Sequence, residues 1–134
     1  MTWITAYIST AIAFFALDFL WLGTIAKKFY FSRLSHLLAD TVNYSAAAGF
    51  YAVYVIGLVI FAVAPAMKDG SWQTAALYGA LFGFFCYATY DMTNQATLKN
   101  WPVAVTMVDI TWGTLLSGSA ATIGYFATQA LSRQ

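Results

Sequence analysis

Four apolar stretches, residues 3–26, 44–66, 74–96 and 103–128, occupy most of this chain. Each is long enough to cross a bilayer, which takes about 20 residues of helix. Backbone in hydrocarbon must bond to itself, so a continuous stretch of this length predicts a helix. Only 8% of the 134 residues are charged, against roughly 25% in soluble domains. Such a chain cannot coat a water-facing globule. The expected fold is therefore all-α: one transmembrane domain, residues 1–134, forming a polytopic membrane four-helix bundle.

No basic residue precedes the first apolar run, and that run exceeds a signal-peptide core of about 7–15 residues. It is expected to stay as the first span. The formal net charge of +1 gives no basic footprint for nucleic acid. The single cysteine, Cys86, has no partner for an intrachain disulfide and reads as a packing residue.

The connections carry their own signals. In residues 27–43, Tyr30, Phe31, Leu34, Leu37 and Leu38 share one helical stripe, while Lys27, Lys28, Arg33 and His36 fall largely elsewhere. That pattern predicts a short amphipathic helix lying in the interface after the first span. Asn43 or Asp40 suits the cap of the second span. Residues 65–73 contain the turn pair Asp69-Gly70, with Ser71 as an N-cap for the third span. Residues 98–102 are so few that the third and fourth spans must be antiparallel neighbours. Gly79 and Gly83, with Gly113, Ser117, Ala121 and Gly124, let helices approach closely, within one chain or between two copies. Trp3, Trp72 and Trp101 flank spans and read as interfacial anchors.

Lys27, Lys28, Arg33 and Lys99 lie in the first and third connections, against Lys68 and Arg133 on the opposite side. This excess predicts that the first and third connections are cytoplasmic.

Three of the five acidic residues, Asp18, Asp91 and Asp109, lie inside the apolar stretches. A carboxylate at mid-membrane costs about 2.5–3.5 kcal/mol on insertion scales, and such residues mark functional sites by default. At a rise of about 1.5 Å per residue, all three sit roughly 8–12 Å in from the same membrane face. Trp21 follows Asp18 by one turn and Trp112 follows Asp109 likewise. Tyr87, Tyr90 and Asn94 surround Asp91. A neutral aspartic acid beside an ionised one supplies an acid and a base in one pocket. Asp91, Asp18 and Asp109 are thus the candidate catalytic residues. Tyr87, Tyr90, Asn94, Trp21 and Trp112 are the candidate substrate-binding residues. The competing reading makes each Asp an interhelical hydrogen-bond acceptor. Hard oxygen ligands suit Mg or Ca, yet no carboxylate–histidine motif accompanies them and His36 stands alone, so no metal is expected. No phosphate loop, serine elbow or cysteine–histidine pair occurs, and no cofactor is expected.

Several blocks carry a resemblance: Asp18-Phe19-Leu20-Trp21-Leu22-Gly23, Tyr90-Asp91-Met92-Thr93-Asn94 with Ala96-Thr97-Leu98, Trp101-Pro102, and Asp109 with Trp112-Gly113. With them the chain resembles, over nearly its whole length, a family of small bacterial membrane proteins with four predicted helices and a domain of unknown function. The resemblance implies a bacterial inner-membrane, multi-pass location. Members are found near lipid-modification genes, which implies a link to fatty-acyl chemistry. It transfers no catalytic role to any residue.

Three functions fit these residues. The first is an intramembrane Asp-rich site that binds a membrane lipid or other apolar molecule and acts on it by acid–base chemistry. The second is a non-catalytic subunit or assembly partner of a larger membrane complex. The third is a small proton-coupled transporter working as a homodimer.

Overall fold

The computed structural model describes residues 2–132; Arg133, counted in the charge balance, lies outside them. Five helices follow one another: α1 (Trp3–Gly23), α2 (Ile25–Leu34), α3 (Tyr44–Asp69), α4 (Trp72–Thr97) and α5 (Val103–Ser132). No strand occurs among the described residues. By length and composition α1 and α3 are long and apolar enough to cross a membrane. Helices α4 and α5 run 26 and 30 residues, about 39 and 45 Å at the helical rise. Their apolar character is diluted by glycine, serine, threonine, tyrosine and glutamine spread along both helices.

The first apolar run is interrupted at Thr24, whose φ and ψ of −115° and −101° leave the helical region. Its hydroxyl turns back to donate to the Leu20 carbonyl at 2.7 Å. The chain then starts α2 two residues earlier than the amphipathic stripe suggested, and α2 stops at Leu34. Leu37 and Leu38 therefore lie beyond the helix and are exposed. Tyr30 and Leu34 turn onto Trp101 and Val105 at the start of α5, joined by Phe29, which was not on the stripe. Trp101 is consequently buried rather than an exposed anchor, whereas Trp3 and Trp72 are exposed.

Helix α3 runs past the expected end at Ala66, straight through Pro65. A proline inside a helix lacks its N–H and presses its ring on the carbonyl four residues back. The turn before it, Val59–Val63, widens to π-helical geometry, the usual way a helix absorbs such an insult. The helix then continues to Asp69 and ends at Gly70, whose φ of +67° makes it a left-handed C-cap. Asn43 caps the other end, its side chain accepting from the Ala46 N–H at 3.0 Å. Ser71 occupies the N-cap position of α4 without bonding the backbone there; its hydroxyl donates to Gln73 instead.

Helices α4 and α5 are antiparallel and the most intimately packed pair, and α1 lies on the other side of α5. Small residues set the spacing. A Cβ on Gly79 would meet Ala121 Cβ at 2.7 Å, and one on Gly83 would run into the Gly113 carbonyl. Gly124 passes Thr10 of α1 in the same manner. The apolar core joins Phe14, Tyr54, Leu58, Val63, Leu116 and Tyr125. Outward-facing Ile12, Val53, Phe85 and Leu115, one from each long helix, are all at least 60% exposed, so every long helix turns large apolar side chains outward.

Candidate functional site

The Asp18 side chain is buried between three helices. One oxygen accepts from Trp112 Nε1 of α5 at 3.1 Å, and the other from the Tyr51 hydroxyl of α3. The carboxylate is thereby matched with two donors, and it ties α1 to both neighbours. Trp112, read in sequence as a companion of Asp109, is turned away to Asp18. Its ring stacks on Trp21 with centroids 4.6 Å apart and planes 14° from parallel. Trp21 Nε1 approaches the Tyr30 hydroxyl without reaching hydrogen-bond geometry.

Asp109 accepts from the Tyr30 hydroxyl of α2 at 2.9 Å through Oδ1. Burial and the neighbouring Asp109 carboxylate hold the Tyr30 hydroxyl above its ordinary range, so it stays a donor at physiological pH. Tyr30→Phe should cost about 1–2 kcal/mol and loosen α2, read as faster amide exchange over residues 25–34 with little change in α4.

Asp91 differs from both. It is 0% exposed, and neither carboxylate oxygen has a hydrogen-bond partner. Asp109 lies within electrostatic and side-chain hydrogen-bonding reach of it, and since both are carboxyl groups they can pair only by sharing a proton. Buried polar groups are hydrogen-bonded in the great majority of cases, so an orphaned carboxyl group is the most unusual feature of this interior.

The three acids therefore do not form one cluster. Among the described residues no three of His, Cys, Asp and Glu gather closely enough to hold a metal ion. Asp91 and Asp109 are adjacent, while Asp18 is engaged separately by Tyr51 and Trp112. Tyr87 stands between them, within electrostatic reach of both Asp18 and Asp109.

Beside the Asp91–Asp109 pair lies a partly open cavity of about 360 Å³, lined by Phe50, Tyr54, Cys86, Tyr87, Tyr90 and Asp109. It exists because α3 packs on α4 mainly through its Val59–Val63 turn, while its first residues stand largely exposed. Tyr90 is 61% exposed and meets Trp101 edge-on. Asn94 makes no hydrogen bond to Asp91, whose oxygens remain unpartnered.

Reading the sequence missed Tyr51 and Tyr54. Tyr54 bonds Ser117 of α5 at 2.5 Å. Two tyrosines one turn apart in an otherwise apolar stretch were the available signal, since a tyrosine hydroxyl needs a partner when buried. A second network was also missed. Trp101 Nε1 donates to Thr106 at 3.0 Å, Thr106 donates to Gln95 at 2.9 Å, and Gln95 returns to the Trp101 carbonyl at 2.9 Å. This closed ring fixes the α4–α5 turn, where Asn100 adopts a φ of +60°. Thr106→Val should break two of its bonds and cost about 1–3 kcal/mol, seen as a lower unfolding midpoint in detergent.

Residues 3–126 match a family model described as "Predicted membrane protein (DUF2177)". No curated protein matches, and no solved structure does.

Proposed function

The chain belongs to this family of predicted membrane proteins, and from that premise we propose a multi-pass inner-membrane protein whose Asp91–Asp109 pair serves a site for a lipid or other apolar molecule. In this reading all four long helices cross the bilayer. The apolar outer faces of α4 and α5, with Leu77, Phe85, Met107 and Leu115 exposed, support it. So does the arrangement of the connections: His36 Nε2 lies 3.0 Å from the Asn100 carbonyl, and Leu34 packs on Trp101. The first and third connections thus share one end of the bundle, the end that carries Lys27, Lys28, Arg33 and Lys99. By the positive-inside rule that end is cytoplasmic.

The observation that carries the proposal is the unpartnered, fully buried Asp91 next to a mostly aromatic cavity with Asp109 in its wall. Leaving a carboxyl group unmatched costs stability, and such a cost persists in functional sites. Asp91 is the acid or base, Asp109 its partner, and Tyr87 and Tyr90 the walls that orient an apolar substrate. Asp18, Trp112 and Trp21 support this site structurally instead of lining it. Native mass spectrometry with lipid extraction tests the reading. The parent is expected to retain a specific lipid that Asp91→Asn loses or leaves chemically different. A parent that carries no defined lipid overturns it.

A second reading has its own support. Asp18 is fully bonded across three helices, as an acid used as interhelical glue would be. Extended to all three acids, this favours an assembly partner in a larger complex, and predicts a stoichiometric protein in gentle pull-downs.

A further inference from the structure

We infer that the cavity between α3 and α4 selects lipophilic cations, molecules with an apolar tail and a quaternary or protonated amine head. The inference rests on the apolar-ligand site proposed above and narrows its ligand class. Of the six lining residues, four are aromatic: Phe50, Tyr54, Tyr87 and Tyr90. Phe50 and Tyr54 lie 5.5 Å apart between ring centroids, and Tyr54 and Tyr87 meet edge-to-face at 6.1 Å. Rings set at different angles around one space present several π faces to a guest. Aromatic faces attract cations placed within about 6 Å of their centroids, and cages of such rings are a recurrent way to hold a quaternary ammonium group.

The one charged member of the wall is a carboxylate, and no lysine, arginine or histidine is among the lining residues. Asp109 accepts from Tyr30 through Oδ1, its carboxyl group also approaches that of Asp91, and it forms part of the cavity wall. A carboxylate on an aromatic wall is complementary to a cation and repels an anion. Asp91 lies behind it, sealed and unpartnered, so the acidic side of the cavity is backed by a second carboxyl group and no base. A neutral lipid would satisfy the aromatic surface and leave the acidic one unmatched. A lipophilic amine satisfies both. The cavity is partly open, and Phe50 and Tyr90 in its wall are more than half exposed, so a tail can extend outward past them while the head lies toward Asp109.

The test compares octyltrimethylammonium with its uncharged tert-butyl isostere, in which carbon replaces nitrogen, and with octyl sulfate. Binding to the full chain in nanodiscs of zwitterionic lipid is followed by equilibrium dialysis against empty discs. The ammonium compound is expected to bind about tenfold or more tightly than the isostere, the scale of a desolvated cation–π contact. Asp109→Asn should reduce that preference, leaving the part that the rings supply. Phe50→Leu, at a half-exposed wall position that takes part in no hydrogen-bond network, should weaken the ammonium without affecting the isostere. It keeps the test valid if Asp109→Asn fails to fold. Equal binding of cation and isostere overturns the cation inference and leaves the apolar-ligand site standing. Preference for the sulfate overturns the inference outright. If none of the three binds and no lipid is retained in native mass spectra, the inference and the site proposal both fall.

Discussion

Gly83→Leu is expected to prevent α4 and α5 from closing. A Cβ at Gly83 would strike the Gly113 backbone carbonyl and the Ser117 side chain, and backbone cannot rotate away as a side-chain tip can. Overpacking a tight contact costs about 1–3 kcal/mol and sometimes more; with two backbones in contact the upper end, about 3 kcal/mol, is expected. Ser117 also bonds Tyr54, so forcing α5 outward breaks the tie to α3. The measurement is the unfolding midpoint of purified protein in detergent. Gly49→Ala is the control. A Cβ added at that position would have nothing within 4 Å, and an alanine in a helix is favoured over glycine by up to about 1 kcal/mol. Parent-like behaviour of Gly83→Leu would show that α4 and α5 do not meet backbone to backbone at Gly83.

Such close approach was legible as small residues at helical spacing, and so were the helices themselves. Length and apolarity announce a helix, and the scarcity of charge excludes a soluble surface. What periodicity could not show was how a helix survives Pro65. The span was expected to end at Ala66, and the helix instead runs on to Asp69, with a π-helical turn at Val59–Val63 just before the proline. The same limit applied at Thr24, where Gly23-Thr24, two residues inside a continuous apolar run, divide α1 from α2.

The candidate site was readable in its acids and not in their partners. Spacing along one helix suggested that Asp109 pairs with Trp112 and Asp18 with Trp21. The fold instead crosses them: Trp112 serves Asp18, and Tyr30 from the short α2 serves Asp109. Neighbours one turn apart share a face, but what they meet depends on the opposite helix, and no single helix encodes that. Asp91 was singled out by its setting among Tyr87, Tyr90 and Asn94. Its isolation from hydrogen bonds is a tertiary property, visible only once α5 is packed beside it.

That isolation yields the sharpest contrast between the acids. Asp18→Leu should strand two donors, the Tyr51 hydroxyl and Trp112 Nε1. Interhelical hydrogen bonds within bilayers average about 0.6 kcal/mol and reach about 1.7, and stranded buried donors add to that, so a loss of about 2 kcal/mol is expected. Combining it with Tyr51→Phe should prove less than additive by about 1 kcal/mol, because the second change removes one of the stranded groups. Asp91→Leu strands no N–H, tyrosine, serine or threonine donor, since none bonds to Asp91. Exchanging an unmatched buried carboxyl group for an apolar side chain of similar size removes a desolvation cost. The variant should unfold no more easily than the parent, and up to about 2 kcal/mol less easily, while losing any ligand the site holds. Gain of stability with loss of function is the pattern of a residue retained for chemistry. If Asp91→Leu is instead as destabilising as Asp18→Leu, Asp91 is interhelical glue like Asp18, and the assembly reading displaces the ligand site.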